Sequence, residues 1–476
     1  ATLRAAAGGR PGGRETAPDD TLVIGLAADL SSWNPYLAED AHDEEILALV
    51  YPSLAIEQPD YQLHPPSFAP SLAASWDQSE DGLSLTFHLR EDAVWSDGVP
   101  VTAEDLVFSF QVQSSEELGW AWGDITDAIT RVEAIDARTV RYEFNRRYPY
   151  QLMDVNDGPI VPAHAWRGIP LEQWQDTDWL PRVLAAGPYR PAGHTPQQEI
   201  VLEANPRAAE GHRPRIARLV FRVVPSSTNL VNQLLAGSVH LAGGIAPADA
   251  ARLQAAAGIE LTVFADRSYT HVCWNLARPP FDDPRLRRAL AMAVDRDALI
   301  EVVYDGFALP SRGPVLSSMW AFNDALEAVP FDPAGAARLL AEAGWQDRDR
   351  DGVLDRDGVP LAFELLAPAE SDTRQDVVLM IERDLARIGV TVTPRFVEWG
   401  ALQARMDAGD FDAFVNRWVE PTQIDLGGIW HSAPPSEPSF NYGRYANPEV
   451  DRLLEEAEAA ADFAAQKPLL DRIQEL

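Results

Sequence analysis

The sequence predicts an α/β chain in several lobes. Strand-like alternation and helix-start signals are interleaved along its whole length, and no repeat of short period organises them. Leu83, Leu85, Phe87 and Leu89 fall on one face of a predicted strand, and Ser84, Thr86 and His88 on the other. Val140, Tyr142 and Phe144 alternate in the same way. Asp283-Pro284, Asp332-Pro333 and Asn447-Pro448 each set a capping side chain before a proline that suits the first helical position. With 476 residues there is room for roughly three domain-sized units.

Taken in order, residues 1–20 are rich in Ala, Gly, Arg and Pro and lack periodicity, so a flexible tether is predicted there. The first ordered element expected is the strand Thr21 to Leu26, which leads into the loop Ser31 to Tyr36. Asp81-Gly82 and Asp97-Gly98 supply turns on either side of the 83–89 strand. Thr102 is placed to cap a helix with Asp105 at its third position, Val101 and Leu106 forming the hydrophobic staple. A helix beginning at Pro333 is expected to stop at Gly344.

Composition narrows the classes of function. Apolar residues make up 46% and charged residues 24%, an ordinary globular balance. Asp and Glu total 73 against 39 basic residues, for a net charge of −34. Phosphate backbones and anionic lipid would both repel such a chain, so a nucleic-acid partner is not expected. The one cysteine, Cys273, excludes an internal disulfide framework and any multi-cysteine zinc site, and its apolar neighbours predict a buried, inert thiol. Cysteine avoidance agrees with an oxidising compartment. Carboxylates are too abundant to single out a glycosidase pair, and H-E-x-x-H, G-x-S-x-G and P-loop patterns are absent. A secreted glycosidase is therefore a remote alternative, and no catalytic residue is nominated.

From Leu72 onward the sequence becomes specific. Leu72-Ala-Ala-Ser-Trp76, Asp81-Gly-Leu83, Thr86-Phe-His-Leu-Arg90, Trp95-Ser-Asp-Gly-Val-Pro100 and Thr102-Ala-Glu-Asp105 follow one another. Later come Gly187-Pro-Tyr189, Asn205-Pro206, Phe221-Arg-Val-Val-Pro225, Asn232-Gln-Leu-Leu-Ala-Gly237 and Trp274-Asn275. Pro280-Phe-Asp-Asp-Pro-Arg285, Ala289-Leu-Ala-Met-Ala-Val-Asp-Arg296, Ala341-Glu-Ala-Gly-Trp345 and Tyr445-Ala-Asn-Pro-Glu-Val-Asp451 complete the set. In that order they resemble the bacterial family 5 solute-binding proteins of peptide/nickel-type ABC importers, from about residue 21 to the end. The resemblance implies a two-lobed periplasmic-binding-protein-like fold (type II, large class) with an inserted domain. It places lobe I at 21–50 and 164–265, the inserted domain at 51–163 and lobe II at 266–476. The carboxy-terminal return to lobe I is expected to be truncated.

The same resemblance implies a monomeric, extracytoplasmic receptor, periplasmic or cell-surface and membrane-tethered. It would capture a small solute in an interlobe cleft and deliver it to an ABC permease in the cytoplasmic membrane. Oligopeptide leads as ligand, with oligosaccharide or nickel chelate as the alternative and a signalling role also open. Trp33, Asn34, Trp274, Asn275, Arg417, Trp418, Glu420 and Asp425 are the ligand-binding candidates. Flat aromatic faces suit peptide or sugar. Peptide-binding members carry an acid three residues after the tryptophan of the 417–421 segment, where it pairs with the peptide α-ammonium group. Here that position is Pro421, and Glu420 stands one residue early. Arg417 either receives a ligand carboxylate or pairs with Glu420.

No cofactor is required by this reading. Asp347, Asp349 and Asp351 before Gly352 give the D-x-D-x-D-G start of a calcium loop. Its twelfth position, normally a bidentate glutamate, is Gly358, so Asp355 or Asp357 would have to substitute. Any calcium there would be structural; the alternative is a solvated acidic turn.

Overall fold

In the computed structural model the described residues are 2–7, 20–38, 41–59, 62–432 and 439–476. The chain divides into two compact units, Thr2–Asp60 with Pro66–Phe264, and Tyr61–Pro65 with Ala265–Leu476.

The first unit contains a seven-stranded sheet in the order Ile259–Phe264, Thr2–Ala7, Leu241–Ala242, Thr21–Leu26, Arg218–Val223, Glu199–Ala204, Tyr189–Thr195. Leu22, Ile24 and Leu26 project onto an aromatic core that includes Trp33, Tyr36, Trp166, Trp174 and Trp179. The last three indoles pack with centroids 4.3–5.5 Å apart, and each N–H donates to a backbone carbonyl, the usual settlement for buried tryptophan. Gly187 in the Gly-Pro-Tyr motif has a steric reason: a Cβ there would lie 2.7 Å from the Leu49 carbonyl oxygen. A separate antiparallel sheet, Ala73–Gln78, Ser84–Leu89, Thr139–Phe144 and Ile129–Asp136, occupies the chain between Thr21–Leu26 and Tyr189–Thr195 of the large sheet. Leu85, Phe87 and Leu89 are buried as the alternation predicts, whereas Leu83 lies just outside the strand and is exposed. The Ala103–Gln113 helix packs near Ile129–Asp136, and the Thr102 N–H donates to Asp105 at 2.8 Å, closing the capping box.

The second unit is built on a four-stranded sheet in the order Ser268–Trp274, Ala413–Val419, Ala362–Pro368, Thr391–Val397. The last three run parallel and the first antiparallel. One face, through Phe363, Leu365, Ala413 and Val415, meets the helices Pro284–Ala293 and Asp372–Ala386 in a large apolar core. The other, through Leu366 and Phe414, meets Leu402, Met406 and Phe411. The caps at Asp283, Asp332 and Asn447 all form, each side chain accepting a first-turn N–H within 3.0 Å. Gly344 ends its helix at φ +92°, a left-handed conformation that favours glycine.

One expectation is corrected. Thr2–Ala7, assigned to the flexible tether, is a strand between Leu241–Ala242 and Ile259–Phe264, with Ala5 fully buried. Six residues of small and mixed side chains carry little periodicity, but two neighbouring strands offer backbone groups that need partners, and tertiary pairing overrides weak local pattern. The remainder of the expected tether, 8–19, lies outside the described residues. Ala5→Pro removes a ladder N–H between two paired strands and is expected to destabilise by roughly 1–3 kcal/mol, the loss for a buried group left without its partner. A tether would give an unchanged melting temperature.

Candidate functional site

Ligands of open α/β sheets bind beyond the carboxyl ends of their parallel strands. In the second unit Ala413–Val419 ends at such a place, beside the start of Ser268–Trp274. Trp418 stands opposite Tyr269, and Asn416 opposite His271. The ladder continues one step further, since the Glu420 N–H donates to the Arg267 carbonyl at 2.6 Å. Alternation therefore puts Trp418 and Glu420 on one face with Tyr269 and His271.

Among the described residues, three polar atoms in this group are buried without a hydrogen-bond partner: Trp418 Nε1, Glu420 Oε1 and His271 Nδ1. Trp418 meets Phe440 edge-on at 5.3 Å. Burial lowers the His271 imidazole to about 4, so it is neutral in ordinary conditions. Burial also acts on Glu420, which is 1% exposed, and with the neighbouring Asp425 charge raises its carboxyl to about 7. Asp425 itself is exposed and accepts the Gly427 N–H at 2.8 Å.

Arg417 pairs with neither Glu420 nor a free space. Its guanidinium donates to Ser268 Oγ at 2.8 Å and to Asp266 at 2.6 Å. A residue absent from the sequence candidates, Arg374, lies nearby in the first turn of Asp372–Ala386 and donates to Asn416 Oδ1 at 2.7 Å. Burial and then the Arg417 charge lower its pKa, and no described carboxylate lies within ion-pair distance of it. One signal was available: a cation in the first turn opposes the helix dipole, which favours acids there.

The other candidates depart from expectation. Trp33 is buried in the first unit's core, its indole N–H donating to His194 Nδ1 at 3.1 Å. His194 Nε2 in turn meets Asp29 at 2.9 Å, and Asp29 is held below its usual pKa, against the effect of burial, by N–H donors from Gln197 and Leu30 and by His194. Asn34 is fully buried, its Oδ1 accepting the Tyr36 N–H while Nδ2 has no partner. Trp274 stacks on Phe281 at 5.2 Å and belongs to the second unit's core. Asn275 is a strut: it donates to the Gly409 and Phe411 carbonyls and accepts from the Ala277 N–H. Trp33 and Asn275 thus have intrachain partners for their polar atoms, and Trp274 packs one face on Phe281. Cys273 also follows the inert reading, burial pushing its thiol up to about 12.

In the acidic loop, carboxylate oxygens of Asp347, Asp349 and Asp351 lie within 4.8 Å of one another, all exposed. Gly352 turns the chain at φ +92° and its N–H donates to Asp347. Asp355 does not join them: it pairs with Arg348 at 3.5 Å and starts a two-stranded hairpin. Asp357 sits in the hairpin turn at φ +55°.

The raised Glu420 carboxyl has a consequence for stability. Its folded value, about 7, exceeds the ordinary 4.5, so the folded state holds the proton more tightly. That linkage stabilises fully below about 4.5 and is lost as pH rises through about 7. Glu420→Gln, which mimics the protonated form, is expected to leave the ligand-free melt unchanged near pH 4.5. At pH 8 it should raise the melting temperature by about 3 °C or more. Equal melts at pH 8 would show that the carboxylate is compensated.

Comparison with known proteins agrees with this architecture. The profile of bacterial extracellular solute-binding proteins, family 5 (middle region), matches residues 67–436. The chain is 27% identical over 447 residues to the oligopeptide-binding protein AppA of Bacillus subtilis, covering 93% of this chain and 81% of that protein. It is 28% identical over 413 residues to heme-binding protein A of Haemophilus influenzae, covering 82% and 73%. The structure of B. subtilis AppA with a nonapeptide superposes with a TM-score of 0.74 at 25% identity, over 95% of this chain and 90% of that one. The substrate-binding protein CtaP of Listeria monocytogenes superposes with a TM-score of 0.83 at 23% identity, over 95% and 89%, and so supports the fold. With its profile matched over well beyond half its length, the chain belongs to the family 5 bacterial extracellular solute-binding proteins, receptors that bind solutes for transport.

Proposed function

We propose that this receptor captures an oligopeptide outside the cytoplasmic membrane and hands it to the permease of an ABC importer, with no covalent step. Attachment at the membrane surface belongs to the same proposal; among the described residues no helix is long and apolar enough to cross a membrane. The supporting observation is a pair of unmatched charges in one unit. Glu420 is a buried carboxyl whose Oε1 has no hydrogen-bond partner among the described residues, and Arg374 is a half-buried guanidinium whose described partner is the neutral Asn416 amide. A zwitterion supplies the missing partner for both. Asn416 and Glu420 are four residues apart along an extended strand, roughly 13 Å at ~3.3 Å per residue, comparable with the span of an extended tri- to tetrapeptide. A neutral oligosaccharide would offer the Arg374 charge no counter-charge, an unfavourable arrangement. Two relatives' names point the same way: AppA is an oligopeptide-binding protein, and a dipeptide-binding protein of Escherichia coli is 25% identical over 425 residues.

A synthetic peptide library screened by thermal shift is expected to contain members that raise the melting temperature as their concentration passes their dissociation constants. Arg374→Met should weaken the best peptide roughly tenfold to a hundredfold, the range for a hydrogen bond to a charged group, and should have little effect on its carboxy-terminal amide. Trp418→Ala should weaken both forms by a few kcal/mol. Equal loss for acid and amide with Arg374→Met would remove the carboxylate role.

We also propose that Asp347, Asp349 and Asp351 hold a structural calcium ion apart from the ligand. Their convergence and the turn at Gly352 support this, without Asp355 or Asp357. Calcium should raise the melting temperature of chelator-treated protein, and Asp349→Ala should abolish the response. Identical melts with and without chelator would leave a solvated turn.

A further inference from the structure

Glu420 is unusual among the acids of this chain. The buried Asp384 is held by two guanidinium groups, Arg383 and Arg387. Glu420 is as buried as Asp384 and has neither. Among the described residues, none of the groups around it makes a hydrogen bond or ion pair with the carboxyl. On its own segment, Asp425 repels it. From the Ser268–Trp274 strand come Tyr269, whose phenol is kept protonated by burial and then by Glu420, and the neutral His271. Before that strand, Arg267 offers Glu420 its backbone carbonyl, and its guanidinium donates to Thr422 Oγ1. The Gly427–Trp430 helix carries no titratable side chain. Beside the carboxyl stands the Trp418 indole, whose face attracts cations.

We propose that capture of a cationic ligand group at Glu420 is coupled to the release of one proton from that residue. This rests on the peptide reading and names the group recognised, an ammonium. Empty, the carboxyl keeps its O–H bond because an unpaired buried anion is disfavoured. When the ammonium group arrives, that O–H bond breaks, the proton leaves to solvent and the carboxylate pairs with the ammonium. Charge is conserved: a neutral acid and a cation become an ion pair and a free proton. Binding is therefore weakened by acid, up to tenfold per pH unit while Glu420 is protonated in the empty receptor. Above about pH 8 a peptide α-ammonium group loses its own proton, so affinity peaks between about 7 and 8.

The test uses the tightest member of a synthetic tri- to pentapeptide library and its N-acetyl form, titrated calorimetrically from pH 5.5 to 8.5. For the free peptide, affinity should rise nearly tenfold per unit between about 5.5 and 6.5. Heats in two buffers of different ionisation enthalpy should report about one proton released. The N-acetyl peptide should bind more weakly with no acid limb. Glu420→Gln should abolish the acid limb for the free peptide, and Asp425→Asn should move it to lower pH. Tight binding with an affinity flat across the acid range, or an acid limb that survives Glu420→Gln, overturns the proton coupling and leaves the peptide reading intact. If no library member binds at any pH, the peptide reading itself fails and the coupling falls with it.

Discussion

The Ala413–Val419 strand is hydrogen-bonded on both sides, antiparallel to Ser268–Trp274 and parallel to Ala362–Pro368. A strand so placed has no freedom of register, because a one-residue slip would exchange its two faces. Ala413 and Val415 must meet the helical core, and Phe414 must meet Leu402, Met406 and Phe411. Once those residues are fixed, so is the remainder of the strand. Asn416, Trp418 and Glu420 follow Phe414 onto its face, and Arg417 is turned toward Ser268 and Asp266. Core packing thus aims the polar end of the strand. The same hydrophobic demand that stabilises the unit presents a partnerless indole N–H and a partnerless carboxyl at its carboxyl edge.

Those partnerless atoms set local stability against binding. An unpaired polar group removed from water costs about 1–3 kcal/mol, and an unpaired charge considerably more. The chain reduces that penalty at Glu420 by keeping the proton and at Arg374 by one bond to an amide. Neither arrangement is the best available, as the doubly paired Asp384 in the same unit shows. On the proposed reading, a ligand that supplies the opposite charge relieves that penalty, and a solute without the matching group does not, which is a basis for discrimination.

What was legible in the sequence follows from how local each determinant is. The caps at Asp283, Asp332 and Asn447 depend on neighbouring residues and were readable. So was the burial of Leu85, Phe87 and Leu89, because one face of that sheet is covered and the other less so. For Trp33, Trp274 and Asn275 a motif position does not say what completes a side chain. Their partners, His194, Phe281 and the Gly409 and Phe411 carbonyls, are distant in sequence. Arg374 was missed for the converse reason: its surroundings come from Asn416 and Arg417, more than forty residues away. The Thr2–Ala7 strand was missed because its stability lies in two flanking strands rather than in its own pattern.

The displacement of the acid by one residue also has a physical reading. Glu420 remains in the ladder through its N–H on the Arg267 carbonyl. Pro421 cannot follow, because it has no N–H and a fixed φ, so pairing stops there. An acid at 421 would stand after the last rung, on a backbone leaving the sheet, and Pro421 is indeed exposed. At 420 the acid shares the face of Trp418 and is 1% exposed. Moving a carboxyl by one position therefore changes its environment from solvated to desolvated and its charge state from fixed to titratable near neutrality. On the proposed reading, the departure from the family's pattern preserves a negative partner for an ammonium group and makes its ionisation conditional on that group being present.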